Sequence, residues 1–279
     1  MKFKYLIIAF CFIMAIVVFI TVLLPVLFGH GYAASFRYIT IPMLLLMSLL
    51  LIGVSVFFFF NYRLLSLLER EDWPALAYYL EQKIYVKNRY NARYVRLLAS
   101  SYLVISDFQS VLKLEAKALL AKPAVVEKNI LIFGSARILS GNHADAAAFF
   151  KTYLGKCKGK ERQWVRWFHG FSYLIGGLFN QAEPEFSSLA VSSDDTILTG
   201  LSAYFLYSSI EKHSVNPAAC GQLAKSGKDR VLKAIKNIEH WKKETDKMGT
   251  EIHIAVVRKY IDEAGKWIFD IKNQETQES

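Results

Sequence analysis

Two long stretches without a single Asp, Glu, Lys or Arg open this chain, Tyr5 to Phe28 and Tyr38 to Phe60. A helix that crosses the hydrocarbon core of a bilayer needs about 20 apolar residues, and each stretch exceeds that length. Only helices and closed barrels satisfy their own backbone hydrogen bonds in lipid. We therefore expect a membrane protein in which residues 1–62 form a two-helix transmembrane hairpin, connected at residues 29–37.

The distribution of Lys and Arg predicts how this hairpin is oriented. Lys2 and Lys4 precede the first stretch, the connection holds only Arg37, and seven Lys and Arg follow between Arg63 and Arg96. Because positive residues stay on the cytoplasmic side, both termini are predicted to be cytoplasmic. A cleaved signal peptide is the alternative for the first stretch, although its apolar run is longer than the usual core of about 7 to 15 residues. Either alternative leaves the downstream residues cytoplasmic.

An internal repeat of 35 or 36 residues follows the apolar region. Small residues at 99, 134 and 170 lie inside apolar helical patterns, and a second set of apolar residues recurs twelve positions later with the same spacing. Short turn-forming segments separate the two sets. The pattern predicts a helix–turn–helix unit that occurs three times. The two sets are Ala99, Gly134 and Gly170, then Val111, Ala146 and Ala182.

These units resemble the tetratricopeptide repeat (TPR) family, in which a small residue and an aromatic residue of helix A meet an Ala and a bulky residue of helix B. The resemblance implies an α-solenoid that buries its core by stacking units. Three positions depart from the family pattern: Glu115 replaces the bulky residue, Arg137 the aromatic residue and His169 a Leu. The matching residues are Ala99, Tyr102 and Ala118, then Gly134, Ala146 and Phe150, then Gly170, Tyr173, Ala182 and Phe186.

The expected fold is all-α, a transmembrane hairpin followed by a short TPR-like α-solenoid with C-terminal capping helices. Repeats are expected over residues 63–210, including a preceding half-unit whose first helix continues from the second span. Residues 211–279 are expected to form the capping helices and a frayed tail. Within this region we expect an interruption over 213–227 and helices over 229–247 and 251–272.

The TPR resemblance also implies a binding groove, because such arrays usually bind peptides on a concave face lined by helix A. Its basic end would be formed by the first two units and its aromatic end by the third. In the alternative, the C-terminal helices cover the aromatic end. The implied groove residues are Arg93, Arg96, Lys128, Leu131, Trp164, Trp167, Phe171 and Leu174.

No motif of catalysis or metal binding occurs after Asn61. Glycine-rich phosphate loops, Gly-x-Ser-x-Gly, His-Glu-x-x-His and cysteine pairs at metal-ligand spacing are absent from this part of the sequence. We therefore expect no enzyme activity, no cofactor and no metal. The pair Asp194 and Asp195 precedes a predicted helix start, where acidic residues act as caps. The net charge of +10 favours anionic lipid headgroups over nucleic acid as a partner.

These features predict a membrane-anchored scaffold that presents a cytoplasmic helical-repeat surface to a protein or peptide partner. Nucleic acid and small-molecule substrates are not indicated. The order of two spans and then repeats is similar to that of HemY-type proteins, which implies the bacterial inner membrane. The alternative function is a structural subunit of a membrane transport, secretion or envelope-assembly complex.

The predicted topology places Ser279 in the cytoplasm. A cysteine at this position in an otherwise cysteine-free chain should therefore react with maleimide only after the cells are opened. A cysteine at residue 33 is the control, and it should react in intact cells. Labelling of residue 279 by an impermeant reagent in intact cells would reject the topology.

Overall fold

The structure is a computed structural model that describes residues 10, 12–20, 23, 30–249 and 252–270. Over these residues the regular secondary structure is entirely helical. The chain divides into two compact units, which join in sequence between Tyr79 and Leu80. Most of the first predicted span and the tail after Asp270 lie outside the described residues.

Helix α1, His30–Glu69, is 40 residues long and contains Pro42. Residues 30–37 of the predicted connection are helical and belong to α1; no Gly or Pro interrupts them after Gly31. A window of 18 residues within Leu45–Glu69 has a mean hydropathy of 2.1, and none of the residues in that window is buried. Within the described residues it is the one helix whose length and composition suit a membrane span.

Twelve further helices follow α1 in the described part of the chain. The pairs α3–α4, α6–α7 and α8–α9 correspond to helices A and B of the three predicted units. Irregular helical turns occupy Gln82–Val86, Leu206–Ile210 and Glu211–His213. The helices are α2 (Trp73–Glu81), α3 (Ala92–Val104), α4 (Phe108–Ala121), α5 (Pro123–Glu127), α6 (Ile130–Leu139), α7 (His143–Leu154), α8 (Gly159–Ile175), α9 (Phe179–Ser192), α10 (Thr196–Phe205), α11 (Pro217–Ala234), α12 (Ile238–Met248) and α13 (Ile252–Ile268).

The turn between helix A and helix B has the same backbone conformation in each unit. Ser106, Gly141 and Gly177 have φ values of 60°, 79° and 74°. In each turn, the N–H groups of this residue and the next donate to carbonyls of the last turn of helix A, which satisfies the helix end. Glu71, 35 residues before Ser106, has φ 54° and the same bonds after α1. The predicted helix–turn–helix repeat is confirmed, and this turn agrees with the predicted half-unit.

The predicted close approach at the small residues of helix A is also confirmed. A Cβ atom on Gly134 would overlap the ring of Phe150 in helix B. A Cβ atom on Gly170 would lie 2.9 Å from Cβ of Glu185, and the side chain of Ala99 is fully buried. Larger residues at these positions would separate the two helices, so the small residues set the distance within each pair.

Two departures from the repeat pattern form an ion pair with each other. Nη1 of Arg137 lies 2.5 Å from Oε2 of Glu115, and Nη2 donates to Oε1 at 3.2 Å. The side chains are only 13% and 9% exposed. Burial raises the pKa of Glu115, while the Arg137 guanidinium opposes that change. The pair therefore replaces the apolar contact that a bulky residue and an aromatic residue would make between the first two units.

The expected interruption at residues 213–227 is confirmed only over residues 214–216 and is wrong from Pro217 onward. Asn216 accepts a hydrogen bond from N of Ala219 at 3.1 Å, and Pro217 occupies the first turn of α11, which runs to Ala234. Gly227 lies inside this helix, where a Cβ atom would be 2.7 Å from Cβ of Ala203 in α10. Asn and Pro thus start a helix here, and the glycine permits close packing. Helices α10 and α11 form a fourth antiparallel pair.

The last two helices also differ from the expected bounds. The helix expected over 229–247 is broken at Ile235, which is extended with φ −122° and ψ 119°. Asn237 then starts α12 by accepting from N of His240 at 2.9 Å. Trp241 of α12 is buried and donates from Nε1 to the carbonyl of Ile261 in α13 at 3.2 Å. This bond and the apolar contacts around it join α12 to α13.

We expect Arg137→Leu to lower the free energy of unfolding by about 3 to 5 kcal/mol, because it leaves Glu115 buried without a counter-charge. The double change Glu115→Leu with Arg137→Leu should recover most of that loss. Urea unfolding of the full chain in detergent, followed by circular dichroism, measures both. Lys259→Leu is the control, because Lys259 pairs with Glu263 at the surface and the two side chains are 81% and 37% exposed. This change should lower the free energy of unfolding by at most about 1 kcal/mol. A double variant as unstable as Arg137→Leu would contradict the argument.

Candidate functional site

The aromatic end of the predicted groove is not an open surface. Trp164, Trp167, Phe171 and Leu174 are only 5%, 0%, 3% and 8% exposed. As groove residues accessible to a partner, Trp167, Phe171 and Leu174 are wrong, whereas Trp164 is buried but contributes to the lining of a cleft. The structure agrees with the alternative, in which C-terminal helices cover the aromatic end of the groove.

Helix α13 provides this cover through its own aromatic residues. The His253 ring lies 5.4 Å from the Trp164 ring and 5.9 Å from the Phe168 ring. Further along α13, the Tyr260 ring lies 5.4 Å from that of Phe171. Trp167, on the same helix as Phe171, stacks on it at 5.0 Å. The sequence pattern predicts that this face of helix α8 is exposed in a groove. In the structure the same face lies at the centre of an aromatic core.

His253 makes this cover sensitive to pH. Burial, with a smaller contribution from Arg96, lowers the pKa of His253 to about 4. Because the folded-state pKa lies below the ordinary value of 6.5, the contribution of neutral His253 to stability is fully present above pH 6.5. It is lost as the pH falls toward 4, since protonation then favours states in which α13 no longer covers the ring.

The basic end of the predicted groove remains open. Arg93, Arg96 and Lys128 are exposed and Leu131 is half-exposed. Arg96, Lys128 and Leu131 line a cleft of about 860 Å³. Arg93 lies outside it and lines a smaller cavity of about 550 Å³, which shares Arg96 and Lys128 with the cleft. The cleft is within the volume range of about 300 to 1,000 Å³ that is usual for ligand sites.

Arg96 is held in the cleft by the second unit. Its Nε donates to Oδ1 of Asn129 at 3.0 Å, and Nη2 donates to the carbonyl of Lys128 at 3.0 Å. Asn129 is itself buried and donates to the carbonyl of Val125 at 2.8 Å. The guanidinium therefore has a fixed position, because its partners belong to a rigid inter-unit connection.

The facing wall is formed where α8 and α10 begin. Nε1 of Trp164 lies 3.3 Å from Oδ2 of Asp195. The other oxygen of Asp195 accepts from N of Ile197 at 3.0 Å, so the predicted capping role is confirmed for Asp195. Oδ2 of Asp194 accepts from Nε2 of Gln163 at 3.3 Å instead. The carboxylate of Asp195 links the aromatic core to the cleft surface.

The third wall comes from α12 and was missed by the sequence analysis. His240, Glu244 and Lys247 line the cleft, and Oε1 of Glu244 lies 2.5 Å from Nζ of Lys247. In sequence these residues lie more than forty positions after the lining residues of the repeat units and α10, and only the return of α12 and α13 brings them to the site. Their helical spacing of three and four residues indicates one polar face, but it does not indicate which surface that face meets.

Charges of both signs are balanced in the cleft. Four Lys and Arg residues face four Asp and Glu residues, and apolar side chains lie between them. Such a lining does not favour a polyanion such as nucleic acid. Over the described residues, no three His, Cys, Asp or Glu are grouped to hold a metal ion. The charged residues are Arg96, Lys128, Lys160 and Lys247, and Glu161, Asp194, Asp195 and Glu244.

A family model described as "Uncharacterised Treponema protein" matches residues 110–270, more than half of the chain, so the chain belongs to this family. The chain is also 27% identical over 232 residues to an uncharacterized protein of Treponema pallidum (strain Nichols). That alignment covers 81% of this chain and 74% of the relative. No solved structure gives a significant match. The family region includes most of the cleft and the helices that cover the aromatic core.

Trp167→Ala should lower the free energy of unfolding by about 3 to 5 kcal/mol, because a fully buried aromatic side chain is removed. Urea unfolding of the full chain in detergent, followed by circular dichroism, measures the loss. Trp267→Ala is the matched control: its ring stacks on Tyr207 at 5.1 Å but is partly exposed, so the loss should be clearly smaller. Equal stability of Trp167→Ala and the unchanged protein would contradict the covered core.

Proposed function

We propose that this member of the uncharacterised Treponema family is a membrane-anchored, TPR-like scaffold that binds a short extended segment of a partner protein in the cleft. One observation carries the proposal: the basic half of the concave face is open, while α13 fills the aromatic half. The accessible groove is therefore shorter than the whole array. A partner helix of several turns would collide with α12 and α13, whereas a few extended residues would fit.

The chemistry of the cleft suits a polypeptide. An extended segment presents backbone donors and acceptors on both edges, and the cleft offers Arg96 and Lys128 on one side with Asp194 and Glu244 on the other. Leu131 lies between them and is half-exposed, so it can contact one apolar side chain of the segment. Balanced charge of this kind contributes to specificity more than to affinity.

The anchor in this proposal is the two-span hairpin, with both termini in the cytoplasm. Its support is the uncovered apolar surface of α1, where Leu49 is 70% and Phe59 is 81% exposed. Such side chains in contact with water would promote aggregation, whereas lipid accommodates them.

A second candidate function is a structural subunit of a membrane complex, in which α1 contacts the spans of other proteins. Gly53 favours it, because a Cβ atom at this position would meet nothing within 4 Å. A small residue on an uncovered membrane helix allows another helix to approach closely.

A photo-crosslinking amino acid at Leu131 tests the scaffold function. In cells, it should crosslink to one short stretch of a partner protein, because that stretch lies in the cleft. The same amino acid at Leu139, which is on the same helix but outside the cleft, should not. Lys128→Glu should reduce the crosslinking at least about tenfold. The change reverses the charge that Lys128 presents to the bound segment, and a close like-charge contact costs over 1 kcal/mol.

Lys151→Glu is the charge control, because Lys151 is exposed on α7 and outside the cleft. It should leave the crosslinking unchanged. Equal crosslinking from Leu131 and Leu139, or none from Leu131, would reject the cleft as the binding site. Crosslinks to other membrane proteins from Gly53 alone would support the structural subunit instead.

A further inference from the structure

Most of the net positive charge of this protein lies in the three connections that lead from one unit to the next. The segments 82–93, 119–128 and 155–162 contain ten Lys and Arg residues and two Glu residues. The net charge of the whole chain is +10, so these connections account for most of it. We name the three segments together the basic edge.

Contacts show that the three connections lie side by side. Nζ of Lys156, in the third connection, is 3.3 Å from Oε1 of Glu127 in the second. Arg93 of the first, Lys128 of the second and Glu161 of the third line one cavity of about 550 Å³. Equivalent ends of stacked helical units face the same way, so the segments form one continuous edge.

Four basic residues of this edge have no carboxylate partner within the described residues. Lys87, Arg89, Lys122 and Lys158 are exposed and form no ion pair with a carboxylate there. Of the two Glu residues, Glu127 is paired with Lys156. The charge of these four residues therefore remains available to a partner, whereas Lys128, Lys160 and Glu161, which the edge shares with the cleft, belong to its balanced lining.

Apolar side chains project from the same edge. Val86 is 71% exposed between Lys83 and Lys87, and Leu120 is 89% exposed two residues before Lys122. Exposed apolar residues among Lys and Arg are typical of surfaces that rest on a bilayer, where the apolar groups enter the interface and the charges meet anionic headgroups. A nucleic acid would use the charges but would leave these aliphatic side chains in water.

We propose that the basic edge is a docking surface for anionic phospholipid headgroups. This inference rests on the membrane anchorage proposed above and not on the peptide cleft. Only twelve residues separate the end of α1 at Glu69 from the first connection, so the length of chain between them limits how far the edge can be from a bilayer that holds α1. Each Lys or Arg near an anionic surface changes the docked-to-undocked ratio by about fivefold.

The test uses the full chain with Cys11, Cys157 and Cys220 changed to Ala, reconstituted in vesicles. A fluorophore on Leu120→Cys reports the basic edge, and one on Leu139→Cys reports the opposite end of the helices. Spin-labelled headgroups quench a fluorophore that touches the bilayer. In mixed phosphatidylcholine and phosphatidylglycerol at low salt, the Leu120 probe should be quenched and the Leu139 probe should not. Quenching should disappear at about 1 M salt, where the screening length is about 3 Å, and in pure phosphatidylcholine.

Two charge variants sharpen the test. Lys122→Gln with Lys158→Gln should lower the docked-to-undocked ratio about 25-fold, without changing crosslinking from the cleft, which neither residue lines. Lys151→Gln with Lys233→Gln, two exposed lysines outside the edge, is the matched control and should change little. Equal quenching of both probes, or quenching that persists at high salt or in neutral vesicles, would overturn the proposal. Salt-sensitive binding of an oligonucleotide to the edge, without headgroup quenching, would overturn it too.

Alkaline washing of neutral vesicles tests the anchorage separately, because an embedded chain is retained. A chain lost from neutral vesicles but held by anionic ones at low salt would reject the anchorage and support the basic edge. A retained chain without headgroup quenching would leave the anchorage intact and overturn the edge.

Discussion

The close contact between a small residue of helix A and a large side chain of helix B is the constraint on which the repeat region depends. Gly134 leaves room for the Phe150 ring, and Gly170 leaves room for the side chain of Glu185 beside Phe186. This contact sets the distance within a pair, and the left-handed residue in each turn sets its angle. A single pair cannot bury its apolar residues, so stacking follows from the same packing. Where the pattern departs, at Glu115 and Arg137, an ion pair fills the same space between neighbouring units.

The TPR resemblance implies that stacking creates a concave face, and the C-terminal helices cover part of the helix A residues assigned to it. Helix α13 places His253 and Tyr260 over the aromatic residues of α8. The face that the family resemblance assigns to a ligand is thus partly used for folding. What remains is the cleft between the first two units, the beginnings of α8 and α10, and α12; it is short and contains both signs of charge. The aromatic residues of α8 therefore contribute to the buried core and are not available as binding surface.

Two surfaces of the repeat region therefore differ in chemistry although they adjoin each other. The cleft has balanced charges at fixed positions, as the bonds of Arg96 to the second unit show. The basic edge has an excess of Lys and Arg over Glu, next to exposed aliphatic residues. Fixed and balanced groups suit a specific partner segment, whereas mobile Lys and Arg side chains suit a fluid, anionic surface. The proposed peptide and lipid contacts can thus occur together in one molecule.

Features that depend on neighbouring residues were determined by the sequence itself. The period of 35 and 36 residues, the small residues of helix A and the cap at Asp195 all follow from local packing or local hydrogen bonds, and the structure confirms them. Some local signals led to a wrong prediction, because Pro217 and Gly227 suggested an interruption. In the structure Pro217 begins α11, and Gly227 allows α11 to pack closely on Ala203. Contacts between distant residues were decided only by the tertiary structure. The burial of Trp167, the pairing of Glu115 with Arg137 and the arrival of α12 at the cleft depend on where helices far apart in sequence come to lie, because an amphipathic pattern specifies that a face is buried but not what buries it.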